Sequence, residues 1–464
     1  MNRRVAMVVR NAVAGDSRVR KSAAALAGAG WDVTVLGTSP DLDEHRLELD
    51  GVPVVLVPVR PGLGPADAVL LADRDVALRG PGRLPWSARR RISRPVGPLR
   101  GAARQVAGAL TPGGGWRRLD PWVQEVELAL APHVEALEPA VVHAHDHHTV
   151  PLAARSTAVL GARGTGTVWV HDAHELSAAT ADRGARGLRG LLRRRMVAGM
   201  LAELVPTAAA VVTVSEELAD RLAADLRLAA RPTVVLNAPP VAAARPAPSL
   251  RQRAGLGPEV PLLVYAGGLA RSRGVDLAVR ALPRLPGVHL ALVAPDDDPQ
   301  LPALRRLADA LGAAQRLHVV PYVAPDQVVE HLRGADAGLV PLRHRPNHEI
   351  SLVTKYLEYL QAGLPLVVSD VRSMAAFTRA HGLGEVFAVG AGEEPDGAAL
   401  AAAAARVLAD PGRYRAARAA AAATIGQLTW ERQAQVLTGL YDRFVPAKPG
   451  SAPSRPDRQG PSLR

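Results

Sequence analysis

Short apolar runs rich in valine and leucine alternate with longer amphipathic stretches along the chain, and polar turns separate them. Such runs are typical of strands buried on both faces of a parallel sheet, and the amphipathic stretches between them are typical of crossover helices. No segment repeats at a fixed period, so the pattern does not indicate a solenoid. In the first half the predicted strands are Val5–Val9, Asp32–Leu36, Val52–Val59, Val141–Ala144, Thr167–Val170, Ala210–Val214 and Thr233–Leu236.

The alternation stops at an Ala- and Pro-rich segment, Ala238–Pro248, and then starts again. Such a segment predicts a linker between two domains. The predicted strands beyond it are Pro261–Ala266, Val288–Val293, Leu317–Val320, Ala337–Val340 and Pro365–Ser369. The clearest predicted helices are Ser17–Ala29, Pro121–Leu137, Ala398–Ala423 with a break at Pro411, and Thr429–Phe444.

This order predicts an α/β protein with two domains. Residues 1–238 form a first Rossmann-like domain with an insertion at about 79–118, and residues 239–428 form a second. Residues 429–445 form a last helix, and residues 446–464 are predicted to be a disordered tail. Parallel sheets bind ligands beyond the carboxyl ends of their strands, so we expect a ligand cleft between the two domains.

Composition narrows the class of protein. The chain has 464 residues, of which 48% are hydrophobic, and this content argues against global disorder. It has no cysteine, which excludes disulfides and thiolate sites. No run of about 18 apolar residues predicts a transmembrane helix. The apolar run at Val5–Val9 is too short for a signal peptide, so we expect a cytoplasmic protein.

The net charge of +12 is concentrated in two segments. Ten arginines and no acidic residue lie in Arg79–Arg118, and six arginines lie in Arg183–Arg195. Leucines stand between the arginines of the second segment. Both segments therefore suit an anionic membrane surface such as the inner face of the plasma membrane, although a solvated basic face or a disordered insertion is an equal alternative. Nucleic acid is not expected, because only 3% of residues are aromatic and no known nucleic-acid motif is present.

Two glycines directly follow the predicted strand Pro261–Ala266. Glycines let backbone N–H groups approach an anion, and a helix predicted after Gly274 adds a favourable dipole. Arg273 adds a guanidinium that suits phosphate. An ordinary turn with surface arginines accounts for the same residues equally well.

A second candidate anion site begins at Ser351, which is the predicted cap of a helix ended by Gly363. Lys355 and Glu358 are three residues apart and share a helix face. Lys355 and the free N–H groups of the first turn suit a pyrophosphate, and Glu358 suits ribose hydroxyls. The alternative is an ordinary surface ion pair.

Four histidines lie within the six residues from His143 to His148, at the carboxyl end of a predicted strand. Strand alternation places His143 and His145 on the same face. Three further candidate metal ligands follow the next predicted strand: Asp172, His174 and Glu175. We nevertheless predict no metal, and expect one histidine to act as a hydrogen-bond donor at the cleft. The remaining alternative is a solvated, histidine-rich loop.

The loop after the first predicted strand ends at Asp16 or Ser17, the predicted N-cap of the first helix. This loop lacks the spacing G-x-G-x-x-G, so dinucleotide binding is not supported. The chain also carries no P-loop and no G-x-S-x-G motif, which argues against nucleoside triphosphate hydrolysis and against a serine nucleophile on a strand-to-helix elbow.

From roughly Arg4 to Phe444, outside the basic insertion, the chain resembles the GT-B-fold retaining glycosyltransferases of the family 4 type, the glycosyl transferases group 1. The segments that carry the resemblance are Gly15–Val19, His143–Asp146, Asp172–Leu176, Tyr265–Gly268 with Arg273-Gly274, and Thr354–Pro365. The resemblance implies two Rossmann-like domains facing across a cleft and a C-terminal helix that crosses back to the first domain. It also implies transfer of a sugar, with retention, from a UDP- or GDP-sugar to a lipid-linked or polysaccharide acceptor.

The resemblance implies roles for individual residues. Arg273 matches the basic residue that holds the donor diphosphate, Lys355 lies at the donor-binding helix start, and Glu358 matches the acidic residue that binds ribose. His145 matches the cleft histidine near the reacting sugar, so the predicted catalytic residues are His145, Arg273 and Lys355. The other predicted donor-binding residues are Gly267, Gly268, Ser351, Leu352, Val353 and Thr354. Candidate sugar or acceptor contacts are Gly15, Asp16, Arg18, Asp172, His174, Glu175 and Glu349.

Two positions depart from the commonest pattern of these enzymes. Gly268 stands where many relatives have Arg, and Ile350 stands where they have a second Glu, with Glu349 one residue earlier. Fixed cations and helix N–H groups can stabilise a leaving diphosphate, so we expect no metal and no other cofactor. Two alternatives stay open: a nucleotide-sugar epimerase of the same fold, which needs no acceptor, and a non-catalytic member that only binds lipid or protein.

Overall fold

The first half of the chain forms an eight-stranded sheet in the computed structural model, which describes residues 2–63, 65–79, 116, 121–180, 187–241, 248–390 and 397–444. The strand order is β3-β4-β2-β1-β5-β6-β7-β8, and every neighbouring pair is parallel except β3 with β4. The strands are β1 Arg4–Val8, β2 Asp32–Thr38, β3 His45–Leu49, β4 Val52–Val57, β5 Val141–His145, β6 Val168–Ala173, β7 Ala210–Thr213 and β8 Thr233–Val234.

Helices cover both faces of this sheet. They are α1 Ser17–Gly28, α2 Pro65–Arg79, α3 Pro121–Leu137, α4 Val150–Ala162, α5 Ser177–Thr180, α6 Leu188–Leu204 and α7 Glu216–Leu226. Short 3₁₀ turns lie at His147–Thr149 and Val205–Thr207. The strands read as continuous apolar runs because both faces are buried, for example Val5 to Val8 with no exposed surface.

The second half forms a six-stranded, fully parallel sheet in the order β11-β10-β9-β12-β13-β14. Its strands are β9 Leu262–Ala266, β10 His289–Val293, β11 Leu317–Val320, β12 Ala337–Val340, β13 Leu366–Ser369 and β14 Gly384–Phe387. Its α-helices are α8 Leu250–Arg253, α9 Val275–Ala281, α10 Leu301–Ala310, α11 Val328–Leu332, α12 Pro346–Glu349, α13 Thr354–Ala362, α14 Arg372–His381, α15 Ala398–Ala409, α16 Pro411–Ala420 and α17 Ala422–Gly426. Its 3₁₀ turns are Arg271–Arg273, Leu282–Arg284, Ala314–Arg316 and Pro325–Gln327.

The last helix, α18 Trp430–Tyr441, returns to the first domain. It packs against α1, and its buried side chains join the core formed by β1 and β2. Tyr441 meets Trp31 edge to face, with ring centroids 5.2 Å apart. The prediction of two Rossmann-like domains with a helix that crosses back is therefore confirmed.

The sequence did not predict β3 and β14, and it predicted β4 and β8 two residues too long. In β3 charged and apolar residues alternate, which is typical of an exposed edge strand. Its composition therefore resembles that of a polar loop, and the strand was not predicted. The run Gly384–Phe387 is too short to stand out, and β8 has two residues where four were predicted. The predicted break before Pro411 is present, with Asp410 as the N-cap of the next helix.

Several predictions fall wholly or partly outside the described residues. They concern the basic segment Arg79–Arg118 apart from Arg79 and Trp116, the first residues of Arg183–Arg195, part of the linker Ala238–Pro248, and the tail. Among the helices that are described, none has the length and apolar character needed to cross a membrane.

Candidate functional site

A cleft of about 850 Å³ lies where the carboxyl ends of the two sheets face each other. The first domain lines it with the start of α1, including Gly15, Ser17 and Lys21. The second domain lines it with Gly267, which follows β9, and with the first turns of α13. The cleft therefore lies where parallel sheets bind ligands.

The turn after β9 is shaped by close contact with α13. Gly267 has φ +123°, and a Cβ at this position would overlap Cε and Nζ of Lys355. The Tyr265 hydroxyl donates to the carbonyl of Gly268 (2.8 Å), and the Ala266 N–H donates to the Tyr359 hydroxyl (2.8 Å). These bonds fix the loop, and the missing side chain at Gly267 leaves room for the lysine ammonium.

Arg273 is the last residue of a 3₁₀ turn and is followed by Gly274 in the left-handed region, where φ is +68°. A side chain at Gly274 would overlap the carbonyl oxygen of Pro341, so only glycine fits there. The next helix begins at Val275, as predicted. Within the described part of the chain the Arg273 guanidinium makes neither a hydrogen bond nor an ion pair.

Lys355 and Glu358 face the cleft from the first turns of α13, and both side chains are largely desolvated. Burial lowers the pKa of Lys355, Arg273 lowers it further, and Glu358 opposes both. Burial likewise raises the pKa of Glu358, although Lys355 and Lys21 act against the rise. Neither side chain is hydrogen-bonded to another described residue. The Lys355 ammonium and the Glu358 carboxyl can therefore both bind a polar ligand in the cleft.

The residues before α13 divide between the cleft and the protein interior. Thr354 lines the cleft, whereas Val353 and Leu352 pack against the hydrophobic core. The prediction that Ser351 caps the helix is wrong, because Val353 holds the N-cap position and Ser351 Oγ donates to the carbonyl of Asn347 (2.7 Å). No side chain caps α13, so its first N–H groups are available to a ligand. The predicted end at Gly363 is correct.

The histidines predicted to share a face stack against each other. The His143 and His145 rings have centroids 4.4 Å apart, and both side chains are completely buried. His143 Nδ1 lies 2.5 Å from the Tyr441 hydroxyl of α18. Burial lowers the pKa of His145, and burial together with His145 lowers that of His143 to about 4, so both rings are neutral.

Arg18 and Asp172 form a buried ion pair beneath the loop that carries Gly15. Nε and Nη2 of Arg18 donate to the two oxygens of Asp172 at 2.9 and 2.7 Å, and Nη1 donates to the carbonyl of Val235. Their side chains are 3% and 1% exposed. The Arg18 guanidinium and both oxygens of Asp172 are therefore already hydrogen-bonded within the protein, and a sugar contact of either residue stays a prediction.

His174 is the member of the histidine cluster that reaches the surface, with 19% of its side chain exposed. Its Nε2 lies 3.1 Å from His145 Nδ1 and 3.6 Å from Asp172 Oδ2, and its Nδ1 lies 3.4 Å from Asp146 Oδ1. Burial lowers the pKa of His174, but the carboxylates of Asp146 and Asp172 outweigh it and hold the pKa above its ordinary value.

Asp16 is the N-cap of α1, one of the two residues predicted for this position, and its carboxylate accepts from the Val19 N–H (3.1 Å). Asn11 Nδ2 also donates to it, at 2.9 Å. Burial raises the pKa of Asp16, but His145 and these two hydrogen bonds outweigh burial and hold the pKa below its usual value. Asp16 thus connects the Gly15 loop to the histidine cluster.

His143, His145 and Asp172 place ligand-type atoms within 4.8 Å of one another. The other groups around them make a poor metal site. Both Asp172 oxygens already accept from the Arg18 guanidinium, whose charge opposes a cation. The geometry favours a hydrogen-bonded cluster over a metal centre.

Glu175 and Glu349 are not part of the cleft lining. Glu175 contacts the second domain, and Glu349 contacts the backbone of a neighbouring helix. Glu175 accepts from Asn347 Nδ2 (2.9 Å), and the Leu176 N–H donates to Asn347 Oδ1 (2.8 Å), which joins the two domains. Glu349 accepts from the Arg372 N–H and pairs with His344 Nδ1 at 2.6 Å. The carboxylate of Glu349 is therefore already engaged within the protein, and its contact with a sugar stays a prediction.

Lys21 lines the cleft, although no function was predicted for this residue from the sequence. Its ammonium donates to Asn237 Oδ1 (2.7 Å) and to the carbonyl of Ala238 (2.6 Å), and it lies 4.9 Å from the Trp430 ring centroid. Burial and the nearby charge of Arg18 lower the pKa of Lys21 to about 8. Its position one turn after Ser17 on α1 was the available signal.

Family profiles match both domains. The profile described as "Glycosyl transferase 4-like domain" matches residues 15–238, and the one described as "Glycosyl transferases group 1" matches residues 260–410. The chain belongs to the group 1 glycosyltransferases. The cleft-lining residues Gly15, Lys355 and Glu358 lie within the matched ranges, and so do His145 and Arg273.

Similar curated proteins align with only part of the chain. Glycogen synthase of Halorhodospira halophila is 34% identical over 205 residues, which are 41% of this chain and 39% of that protein. A GDP-mannose-dependent alpha-(1-6)-phosphatidylinositol monomannoside mannosyltransferase of Mycolicibacterium smegmatis is 32% identical over 124 residues, 25% of this chain and 32% of that protein. The chain thus spans less than half the length of these relatives.

Solved structures with the same architecture cover nearly the whole chain. Sucrose-phosphate synthase of Thermosynechococcus elongatus gives a TM-score of 0.66 at 16% identity, covering 95% of this chain and 98% of that one. HepE of Anabaena in complex with UDP gives 0.62 at 14% identity, covering 95% and 100%. At these identities the likeness shows the fold, which is GT-B.

Proposed function

We propose that this chain transfers a sugar from a UDP- or GDP-sugar to a lipid-linked or polysaccharide acceptor, with retention and without a metal. The observation that carries the proposal is a set of charged groups on the second-domain side of the cleft that make no hydrogen bond or ion pair with another described residue. Lys355 and Glu358 line the cleft from the uncapped start of α13 and offer a cation, free N–H donors and an acceptor. Arg273 is not part of the cleft lining in this structure, but its guanidinium is close enough to lower the pKa of Lys355. This set suits a diphosphate attached to a ribose.

The chemistry follows from the charge that develops during transfer. Breaking the bond between the anomeric carbon and the phosphate oxygen leaves negative charge on the nucleoside diphosphate and positive charge on the sugar. Arg273, Lys355 and the N–H groups of α13 are fixed where they stabilise the leaving diphosphate. These cations meet the electrostatic need that a divalent metal meets elsewhere. No pair of free carboxylates suits a double displacement within the described cleft, so we propose attack and departure on the same face.

His145 is proposed to contact the transferred sugar. It stands at the carboxyl end of β5 beside Asp16, whose neighbour Gly15 lines the cleft. Its Nε2 is buried and has no hydrogen-bond partner among the described residues, which is unusual for a buried polar atom. A sugar hydroxyl would supply that partner if it reached the ring, which is completely buried and is not part of the cleft lining in this structure.

The choice of donor rests on relatives. The Anabaena structure contains UDP, and others of that protein contain UDP-glucose or UDP and glucose. The Mycolicibacterium relative is named as GDP-mannose-dependent and acts on a phosphatidylinositol mannoside. These names support UDP or GDP as the donor base, and the second supports an acceptor on a lipid.

We also propose that the first domain docks on an anionic bilayer. Four large apolar side chains are about half exposed on two helices: Val69 and Leu70 on α2 and Leu188 and Leu191 on α6. Both helices pack on α4. The basic segment Arg79–Arg118 starts at the end of α2, and Arg193–Arg195 lie on α6. Apolar side chains beside a cluster of arginines suit the surface of an anionic membrane.

Buried charges hold this face together. Arg155 on α4 donates to Asp75 on α2 (2.7 Å) and to Glu127 on α3 (2.6 Å). Trp116 donates from Nε1 to Glu203 on α6 (3.0 Å). Trp116 and α2 are therefore held against α4 and α6.

The test of the transfer reaction is thermal stability against UDP-, GDP- and ADP-sugars, each with and without EDTA. A ligand at about 100 times its Kd stabilises by about 2.7 kcal/mol. Stabilisation by UDP- or GDP-sugars that EDTA does not change supports the proposal, and absence of any shift contradicts it. Turnover without acceptor, with the sugar still attached to the nucleotide, would indicate the epimerase alternative.

A further inference from the structure

The protonation of His145 depends on its neighbours, because a neutral imidazole carries one proton on one of two nitrogens. His145 Nδ1 has two neighbours, His174 Nε2 at 3.1 Å and Asp172 Oδ2 at 3.4 Å. His145 Nε2 is buried without a partner in the described part of the chain. The neighbours at Nδ1 therefore decide whether Nε2 is a donor or an acceptor.

Two arrangements of protons satisfy these contacts. If His174 is a cation, its Nε2–H donates to His145 Nδ1, and the proton of His145 must be on Nε2. If His174 is neutral with its proton toward Asp146, its Nε2 is an acceptor, and His145 then donates from Nδ1 to His174 and Asp172. In the first arrangement His145 Nε2 is a hydrogen-bond donor, and in the second it is an acceptor.

Several charged and titratable groups surround His174. They are Asp146 after β5, His145 on β5, His171 and Asp172 on β6, and Arg18 and Asp16 at the start of α1. Asp146 at 3.4 Å and Asp172 at 3.6 Å flank opposite nitrogens of the His174 ring, which favours the imidazolium. Burial and Arg18 oppose it, but the pKa of His174 still stands above its ordinary value.

We propose that His174 is a positioning residue whose protonation fixes the proton of His145 on Nε2 and makes His145 a hydrogen-bond donor toward the transferred sugar. The part that concerns the sugar rests on the proposed function. The part that concerns the two histidines does not, so the two can be tested separately. Asp146 and Asp172 serve this arrangement by holding His174 as a cation.

The direct test is the tautomer of His145, read from long-range ¹H–¹⁵N correlation spectra of the full-length chain labelled with ¹⁵N-histidine. The His145 signals are assigned as those lost in His145→Gln. In the wild type we expect the proton on Nε2 at low pH and a change toward Nδ1 as the pH rises through the titration of His174. In His174→Gln the side-chain NH₂ donates to His145 Nδ1 without titrating, so the proton should stay on Nε2 at every pH.

Activity gives the second readout. If the sugar contact is correct, kcat of the wild type falls as pH rises through the tautomer change, His174→Ala lowers kcat by at least about tenfold, and His174→Gln removes the pH dependence. His318→Gln is the matched control, because His318 also contacts a histidine (His289, 2.8 Å) but lies on the edge strand of the other sheet.

A His145 tautomer that is the same in the wild type and both His174 variants at every pH overturns the inference. A tautomer that follows residue 174 in a chain that binds no nucleotide sugar supports the inference and contradicts only the proposed function. If His174→Ala does not fold, His174→Gln alone decides the outcome.

Discussion

Lys355 occupies the space that a side chain on Gly267 would need. We therefore expect Gly267→Ala to displace the lysine ammonium and to weaken binding of a nucleotide sugar by tenfold or more, because Lys355 is proposed to hold the diphosphate. The φ of +123° also strains an alanine, so stability should fall by about 1–3 kcal/mol. Donor titration and urea unfolding measure the two effects.

A matched control for this variant is Gly161→Ala in α4, where an added Cβ meets no atom within 4 Å and φ is ordinary. It should leave donor affinity unchanged. Normal affinity in Gly267→Ala would mean that Lys355 does not act on the donor from its present position.

Removing either proposed diphosphate partner should weaken donor binding. A hydrogen bond to a charged group is worth about 1.5–3 kcal/mol, so Arg273→Ala and Lys355→Ala should each raise the donor Kd by about 10- to 100-fold. Arg271→Ala, which changes an exposed arginine on the same turn, is the control. Wild-type affinity in both variants would show that the donor site has been placed wrongly.

The ion pair of Arg18 and Asp172 should be essential for stability. Asp172→Asn leaves a buried guanidinium without its counter-charge, and we expect a loss of about 3–5 kcal/mol in the free energy of unfolding. Asp220→Asn breaks a comparable contact to Arg231 at the surface and should change stability little. Equal effects of the two substitutions in urea unfolding would contradict this account.

Buried histidines should make the protein acid-sensitive. Burial lowers the pKa of His171 to about 4, and burial with a nearby histidine does the same for His143. An unfolded histidine titrates near 6.5, so below that pH the unfolded chain takes up protons that the folded chain does not. Each such histidine should remove about 1.4 kcal/mol of stability per pH unit as the pH falls from about 6.5 to 4.

The measurement for this prediction is the free energy of unfolding at several pH values for wild type and His171→Gln. Between about pH 6.5 and 4, the slope of the unfolding free energy against pH should be smaller in the variant by about 1.4 kcal/mol per pH unit, which corresponds to one proton. Gly161→Ala changes no titratable group and should keep the wild-type slope. A slope unaffected by His171→Gln would mean that this ring is not kept neutral in the folded state.

The docking proposal predicts that vesicle binding depends on both charge and apolar side chains. Deletion of Arg79–Arg118 should reduce co-sedimentation with vesicles that contain anionic lipid, and so should Leu188→Ser with Leu191→Ser. Neutral vesicles and Leu42→Ser, an exposed leucine in a loop away from these helices, are the controls. Unchanged binding after the deletion removes the basic segment from the proposal.

The fold was largely predictable because its strands are buried on both faces. Runs such as Val5–Val9 and Pro261–Ala266 carry almost no polar residues, so strand and helix periods separate clearly. The prediction failed at the edge strand His45–Leu49, where one face is exposed and the run contains charged residues. Strands and helices could thus be told apart from the sequence wherever burial in the core determines which residues occur.

The site was predictable only where its residues are close in sequence. Lys355 and Glu358 share one helix turn, and their placement in the cleft agrees with the predicted geometry. The pairing of Arg18 with Asp172 was not predicted, because the two residues lie 154 positions apart, a distance at which one sequence gives no sign of pairing. The hydrogen bond that Glu349 accepts was not predicted for a related reason, because its donor is the backbone of a helix that follows a separate strand.

The return of α18 to the first domain also bears on how the chain folds as it is made. Domains usually fold in order as they leave the ribosome. Here one face of the first sheet is covered in part by Trp430, Leu437, Leu440 and Tyr441, which are synthesised after every strand of both sheets. Until the residues of α18 have emerged, the core around Val5 and Met7 lacks the side chains that this helix packs against it. The first domain is therefore completed only after the second domain has been synthesised.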